Sequence, residues 1–286
     1  MQTPESVTTI THIMHSVCDQ FGLPHNIFPN ATINEALGIA VGIALPPAPK
    51  TTIRYACIGV GGTKYITRPD GLQEFVGAIR PPTHMGLITQ VPFVLRTLSN
   101  DLTHLEMQAY RLRTTWIHPV SNEVHIAYYA KVLDTTNMVV SPELNTALGN
   151  FPWLPTLADL KPVAEYPNNQ GVNLGTSDTI GCTAKIPFVL SPAETIELQN
   201  VFSIMFNTQN MGKLTELALV SGIDQTIGGV FNGINQTYTE ALACQIRSIH
   251  RTSIDINGVG TAIDTTFNIG NTEPMSPKVV TPVVVP

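Results

Sequence analysis

The sequence predicts an α+β, strand-dominated fold: two β-rich units, each with a strand–helix–strand element, plus an N-terminal helix and an extended C-terminal arm. Three observations predict it. The run Val91-Pro-Phe-Val-Leu-Arg96 returns as Ile186-Pro-Phe-Val-Leu-Ser191, and both copies are apolar, β-branched and aromatic, as buried strand ends are. Each copy leads into apolar residues at helical spacing and then into another strand-like run. Between these runs the chain is broken by proline and glycine, 22 and 21 in 286 residues, which mark turns. The divisions this implies are an N-terminal helical segment (1–45), a first β-rich unit (46–141), an irregular connection (142–181), a second β-rich unit (182–273) and a Pro/Val tail (274–286).

Residues 4–21 read as a helix. Pro4 stands at its start, Val7, Ile10, Met14, Val17, Cys18 and Phe21 form an apolar stripe, and Gly22 with Pro24 ends it. The stripe is expected to face the core. His12, His15 and Asp19 share the other side, where a metal ion or a solvated polar face would explain them; no fourth ligand is in view. The run 36–45 is about half the ~20 residues a membrane span needs, so it is expected to be buried in the protein.

Pro46-Pro-Ala-Pro49 is a stiff break. Residues 51–58 then read as a strand ending in Gly59-Val-Gly-Gly62. A dinucleotide fingerprint needs a third glycine where Lys64 stands, followed by a helix, so a tight turn or bulge is expected instead. Pro69-Asp-Gly71 signals a turn, and residues 80–84 an extended loop.

A proline inside each repeat copy cannot donate to a ladder, so both runs should lie at a sheet edge or strand start. After the first copy, Leu102, Leu105, Ala109 and Leu112 predict a helix over 99–113. Residues 114–133 predict a hairpin turning through 119–123. After the second copy the start signal is complete: Ser191 as N-cap, Pro192 first in the helix and Glu194 three residues after the cap. Leu198, Val201, Phe202 and Met205 mark its buried face. Long strands are expected over 214–224 and 240–256, joined by the glycine-rich loop 228–235.

Composition narrows the function classes. Charged residues are 13 % of the chain against a typical ~25 %. Neutral polar residues in their place suit a surface to be covered by neighbours, because amides and hydroxyls cost less to bury than charges. A net charge of −6 argues against nucleic acid as the main partner. Arg111 with Arg113, and Arg247 with Arg251, are too few for a phosphate track and are expected to be ion-paired or solvated. Cys18, Cys57, Cys182 and Cys244 show no metal spacing and read as free thiols of a reducing compartment, and no signal peptide is recognised. No nucleophile elbow, zinc helix motif, P-loop or calcium loop occurs, so the reading is non-enzymatic: no catalytic, cofactor-binding or metal-binding residues are assigned.

Tyr55-Ala-Cys-Ile-Gly-Val-Gly-Gly62, Val91-Pro-Phe-Val-Leu-Arg96 with Asn100-Asp-Leu102 and Tyr110-Arg-Leu-Arg113, and Ala218-Leu-Val-Ser-Gly-Ile-Asp224 resemble uncharacterised virion structural proteins of large contractile-tailed phages. The resemblance spans about residues 50–275. It implies a subunit assembled in the host cytoplasm into the tail, baseplate or neck, with other virion proteins and copies of itself as partners. The order of elements is loosely similar to a baseplate wedge subunit, while neck, collar and tail terminator stay open. The N-terminal helix, the 142–181 connection and the tail are the expected binding elements. The alternative is a carbohydrate- or receptor-binding module with Trp116, Tyr128, Tyr129 and Trp153 as stacking platforms.

Overall fold

A computed structural model describes residues 6–136, 138–146, 148–157, 161, 179–207, 212–231, 234–256 and 261–274. The fold is strand-dominated α+β, with an N-terminal helix. The chain forms two compact units, Met1–Thr135 with Pro187–Thr265, and Thr136–Ile186 with Thr266–Pro286.

Unit 1 is built on one antiparallel sheet. Its strands are β1 (Ser6–Thr8), β2 (Thr52–Val60), β5 (Thr89–Val91), β6 (Val94–Thr97), β7 (Tyr110–Ile117), β8 (Val124–Val132), β12 (Lys213–Phe231) and β13 (Ile234–Asp255). The order runs β1-β13-β12-β2-β8-β6, with β5 on β2 and β7 on β8. Strands of both expected β-rich units therefore share one sheet: β2 pairs with β12 through Cys57↔Ala218 and its neighbours. A separate hairpin, β3 (Thr63–Thr67) with β4 (Gln73–Gly77), turns at Pro69-Asp-Gly71, where Gly71 takes φ +83° and its N–H donates to the Arg68 carbonyl. The predicted turn is there. So is the turn at the glycine cluster: Gly61 has φ +91°, and Gly62 lies so close to Glu216 that a Cβ would collide with its side chain.

The two repeat copies meet in the core. Phe93 and Phe188 pack with ring centroids 6.2 Å apart, and Tyr110 adds a third ring beside Phe93. Pro92 separates β5 from β6, and β6 ends the sheet path, as expected of the first copy; the second copy departs from that expectation, because Pro187 lies well inside a long strand (Thr179–Leu190) that is flanked on both sides in its sheet. The helix α4 (Pro192–Phe206) forms as its signals predict: Ser191 and Glu194 close a capping box, and Leu198, Val201 and Phe202 are buried. Glu194 also accepts from Tyr110 Oη at 2.8 Å and pairs with Lys131.

The helix expected over 99–113 shrinks to α3 (His104–Met107), because Tyr110–Ile117 is taken by the β7–β8 ladder. The β7–β8 hairpin itself matches the expectation, closed by the His118 N–H to the Glu123 carbonyl at 2.9 Å. The run 36–45 is a correction. Helix α2 (Ile33–Leu37) stops at Gly38 in the left-handed region, and beyond it only Ile39 is buried, while Val41 is exposed.

Strands β12 and β13 extend through much of the loop expected over 228–235, pairing as far as Phe231↔Ile234. Arg111 and Arg113 are ion-paired, with Asp224 at 2.8 Å and Asp101 at 2.7 Å. The four cysteines are free, with Cys57 and Cys244 buried and Cys182 exposed. Burial pushes the Cys57 and Cys244 thiols up, which keeps them unreactive.

Unit 2 contains a four-stranded sheet in the order β10-β9-β11-β14, from β9 (Val140–Thr146), β10 (Gly149–Pro152), β11 (Thr179–Leu190) and β14 (Ile263–Pro274). The expected irregular connection thus carries a hairpin, since Val140–Thr146 pairs on both sides. Trp153 anchors its end through an N–H donated to the Pro142 carbonyl at 3.0 Å. Most of 158–178, and the tail beyond 274, lie outside the described residues.

Candidate interaction surface

Helix α1 (Ile10–Gln20) is the element whose placement departs furthest from its sequence pattern. It begins later than expected, after β1, with Thr9 as N-cap. Thr9 Oγ1 donates to the Ile246 carbonyl at 2.6 Å, and the Thr9 N–H to the Arg247 carbonyl at 3.0 Å. Thr11 Oγ1 reaches Met85 Sδ at 3.1 Å. Thr9, Thr11 and His15 are all buried. The helix is therefore fastened by polar groups.

His15 is the centre of that fastening. Arg247 donates to its Nδ1, so Nε2 carries the proton and donates to the Asn26 carbonyl at 3.3 Å. His25 stacks on it with ring centroids 4.2 Å apart and 14° between planes. His25 Nδ1 accepts the Thr51 N–H at 3.0 Å, which leaves Nε2–H to donate to Asp19 at 2.8 Å. Thr51 Oγ1 stands 3.1 Å from the same His25 Nδ1 and donates to Ser221 Oγ at 3.2 Å.

Asp19, His25 and Thr51 thus run in the order acid, base, hydroxyl. A nucleophile needs a free base nitrogen and access for substrate. Here the base nitrogen is engaged by the Thr51 backbone, and Thr51 and Ser221 are both buried. The arrangement is a structural network. It also corrects the expected solvated face of His12, His15 and Asp19: His15 is buried, and Asp19 is directed to His25. Among the described residues no three of His, Cys, Asp or Glu are placed to hold a metal ion.

The consequence for α1 is an inverted display. Ile10, Ile13 and Val17 leave 45 %, 48 % and 49 % of their surface in water, and Phe21 leaves 72 %. Leu23, whose N–H donates to the Cys18 carbonyl, and Phe28 continue this apolar surface at 52 % and 47 %. Of the expected stripe, Ile10, Val17 and Phe21 face outward, joined by Ile13, while Val7, Met14 and Cys18 are part-buried.

The same network makes the fold acid-sensitive. Burial, then the Arg247 charge, lowers the pKa of His15 from 6.5 to about 4, and burial lowers that of His250 to about 4 as well. Between pH 6.5 and 4 the unfolded chain binds protons that the folded chain refuses. Stability is complete above pH 6.5 and falls as pH drops through that window, by roughly 2 kcal/mol per histidine. Urea midpoints at pH 7.5 and 4.5 should show the loss, and His15→Gln should remove part of it. An unchanged pH slope in that variant would refute the assignment.

The described surface of unit 1 also carries two grooves. One of 780 Å³ runs along Gly228, Gly229 and Thr237 beside His104. The other, 520 Å³, lies between β6 and α4, where Arg96 and Glu197 pair bidentately at 3.0 and 2.9 Å. Two of the aromatic platforms of the alternative reading are not exposed. Tyr128 and Tyr129 are buried in the sheet, while Trp116 packs edge-on against His118 and His125. In unit 2, Trp153 is half-buried.

Fold and surface define a strand-dominated α+β protein that displays an apolar helix face. No described helix is long and apolar enough to cross a membrane. The chain belongs to a family of unknown function (DUF7208), whose model matches residues 1–282. No match to it was found among curated proteins or among solved structures.

Proposed function

We propose that this chain is a structural subunit of a phage particle, acting without catalysis through protein–protein contacts in the tail, baseplate or neck. One observation carries the contact role. Helix α1 is secured through its polar side, so that Ile10, Ile13, Val17 and Phe21 stay in water on the free chain. Such a contiguous apolar surface marks an interaction site. The low charge content and the resemblance of residues 50–275 to virion structural proteins support the particle as the setting.

The test is mass spectrometry and immunogold microscopy on purified particles of the phage that encodes the chain. A fixed copy number per particle is expected, and absence from intact particles would sink the proposal. A chain lacking residues 274–286 is expected to fold yet fail to enter particles. Normal incorporation of that truncation would remove the tail from the contact elements.

A further inference from the structure

Resting on that reading, we infer that the apolar face of α1 pairs antiparallel with the same face of a second copy of this chain, forming a two-fold helix–helix seam. Ile10, Ile13 and Val17 recur at intervals of three and four residues, the stripe on which two helices interlock side chains. Phe21 extends it by a further turn. A two-fold axis between Ile13 and Val17 sets Ile13 of one copy against Val17 of the other and brings each Ile10 near the opposite Phe21. The patch is thus self-complementary, as an isologous contact requires.

Charge and area agree with this occupant. Asp19 is turned to His25 and His12 lies by Ser16, so no charged side chain sits on the stripe. Six side chains about half exposed or more (Ile10, Ile13, Val17, Phe21, Leu23, Phe28) offer on the order of 600 Å² per copy. That falls below the ~800 Å² of a standard interface and above a typical crystal contact, the range of a reversible dimer.

Size exclusion with light scattering on the full chain, over a wide concentration series, should show the mass rising from one chain to two. Ile13→Glu alone and Val17→Lys alone should each hold the chain at single mass, weakening dimerisation at least tenfold. Mixing the two variants should restore the dimer, because only the mixed antiparallel pair sets Glu against Lys. Leu105→Glu, on α3, should leave dimerisation unchanged. Should a charged variant lose its circular dichroism signature, Ile13→Ser and Val17→Ser replace the pair, again with dissociation at least tenfold stronger.

A chain of single mass at every concentration overturns the inference, as does a dimer indifferent to Ile13→Glu or a mixture that fails to pair. An α1 face that instead takes the Pro/Val tail or a different virion protein would give the first of these results. A monomer found in purified particles would end the seam and spare the virion reading. A seam dimer absent from particles would do the reverse.

Discussion

Glu240→Ala is expected to destabilise unit 1 by about 3–5 kcal/mol, among the largest losses a single substitution can cause in this chain. Glu240 is fully buried on β13. Its carboxylate accepts three backbone N–H groups, from Leu112 at 2.6 Å, Arg113 at 3.0 Å and Ala241 at 2.8 Å. Leu112 needs this acceptor. It sits at φ +57°, buried, and drops out of the β7–β8 ladder although the register is unbroken on either side, Arg111↔Ala130 and Arg113↔Tyr128.

Burial raises the Glu240 pKa and the three N–H groups pull it back down, which shows how far the carboxylate depends on them. Alanine leaves the Leu112, Arg113 and Ala241 N–H groups without their acceptor in the core, each orphaned donor costing ~1–3 kcal/mol, less the relief of a buried charge. Glutamine should cost less, about 2 kcal/mol: its carbonyl serves Leu112 and Ala241, while its NH₂ opposes the Arg113 N–H. Urea denaturation followed by tryptophan fluorescence measures both. A loss under 1 kcal/mol for alanine would show that the left-handed turn of the backbone at Leu112 does not depend on Glu240.

Arg80→Ala should cost a similar ~3–5 kcal/mol for a different reason: it strands a charge. Glu216 on β12 is fully buried, pairs with Arg80, and accepts the Ile88 N–H at 2.9 Å. Arg80 also donates to the Gly86 carbonyl at 2.5 Å, so the pair staples residues 80–88 to the sheet. The close approach of Gly62 leaves little room for water to replace the guanidinium. Arg80→Met with Glu216→Met should be more stable than Arg80→Ala alone, because an apolar pair leaves no uncompensated charge. The single variant should also be cut faster by protease within 80–88. If the double variant proved the weaker of the two, the stranded charge would not be the cause.

What was legible in the sequence divides by distance along the chain. Helix α4 could be read to the residue because Ser191, Pro192 and Glu194 act within one turn. The β7–β8 hairpin and the turn at Pro69-Asp-Gly71 were legible for the same reason. The helix expected over 99–113 failed where a partner strand intervened: Leu112 matches a helical period but lies in strand β7 with its N–H held by Glu240, over a hundred residues away.

The orientation of α1 failed in the same way and further. Its apolar period is plain in the sequence, and burial of that stripe was the natural expectation. The partners that reverse it, Arg247 and the Ile246 carbonyl, are more than two hundred residues distant. One signal was available: buried threonine and histidine need specific acceptors, and Thr11 and His15, four residues apart, fall on one side of the helix. The pattern showed two candidate faces but not which would find partners.

That distance bears on how and when the chain acquires its shape. Ser6–Thr8 has its ladder partners at Ser248, Ile249 and His250, and β2 has its own on β12. Contacts so remote in sequence make for slow folding, since loop closure comes before the contacts that reward it. On the ribosome, α1 emerges first and waits for β13, which is made almost last. A chain cut short before Arg247 would lack the guanidinium that ties His15 to the large sheet, and its apolar and polar faces would compete for the same core. Only a chain translated through β13 can fix which face of α1 points out, so the apolar display waits on synthesis of nearly all of unit 1.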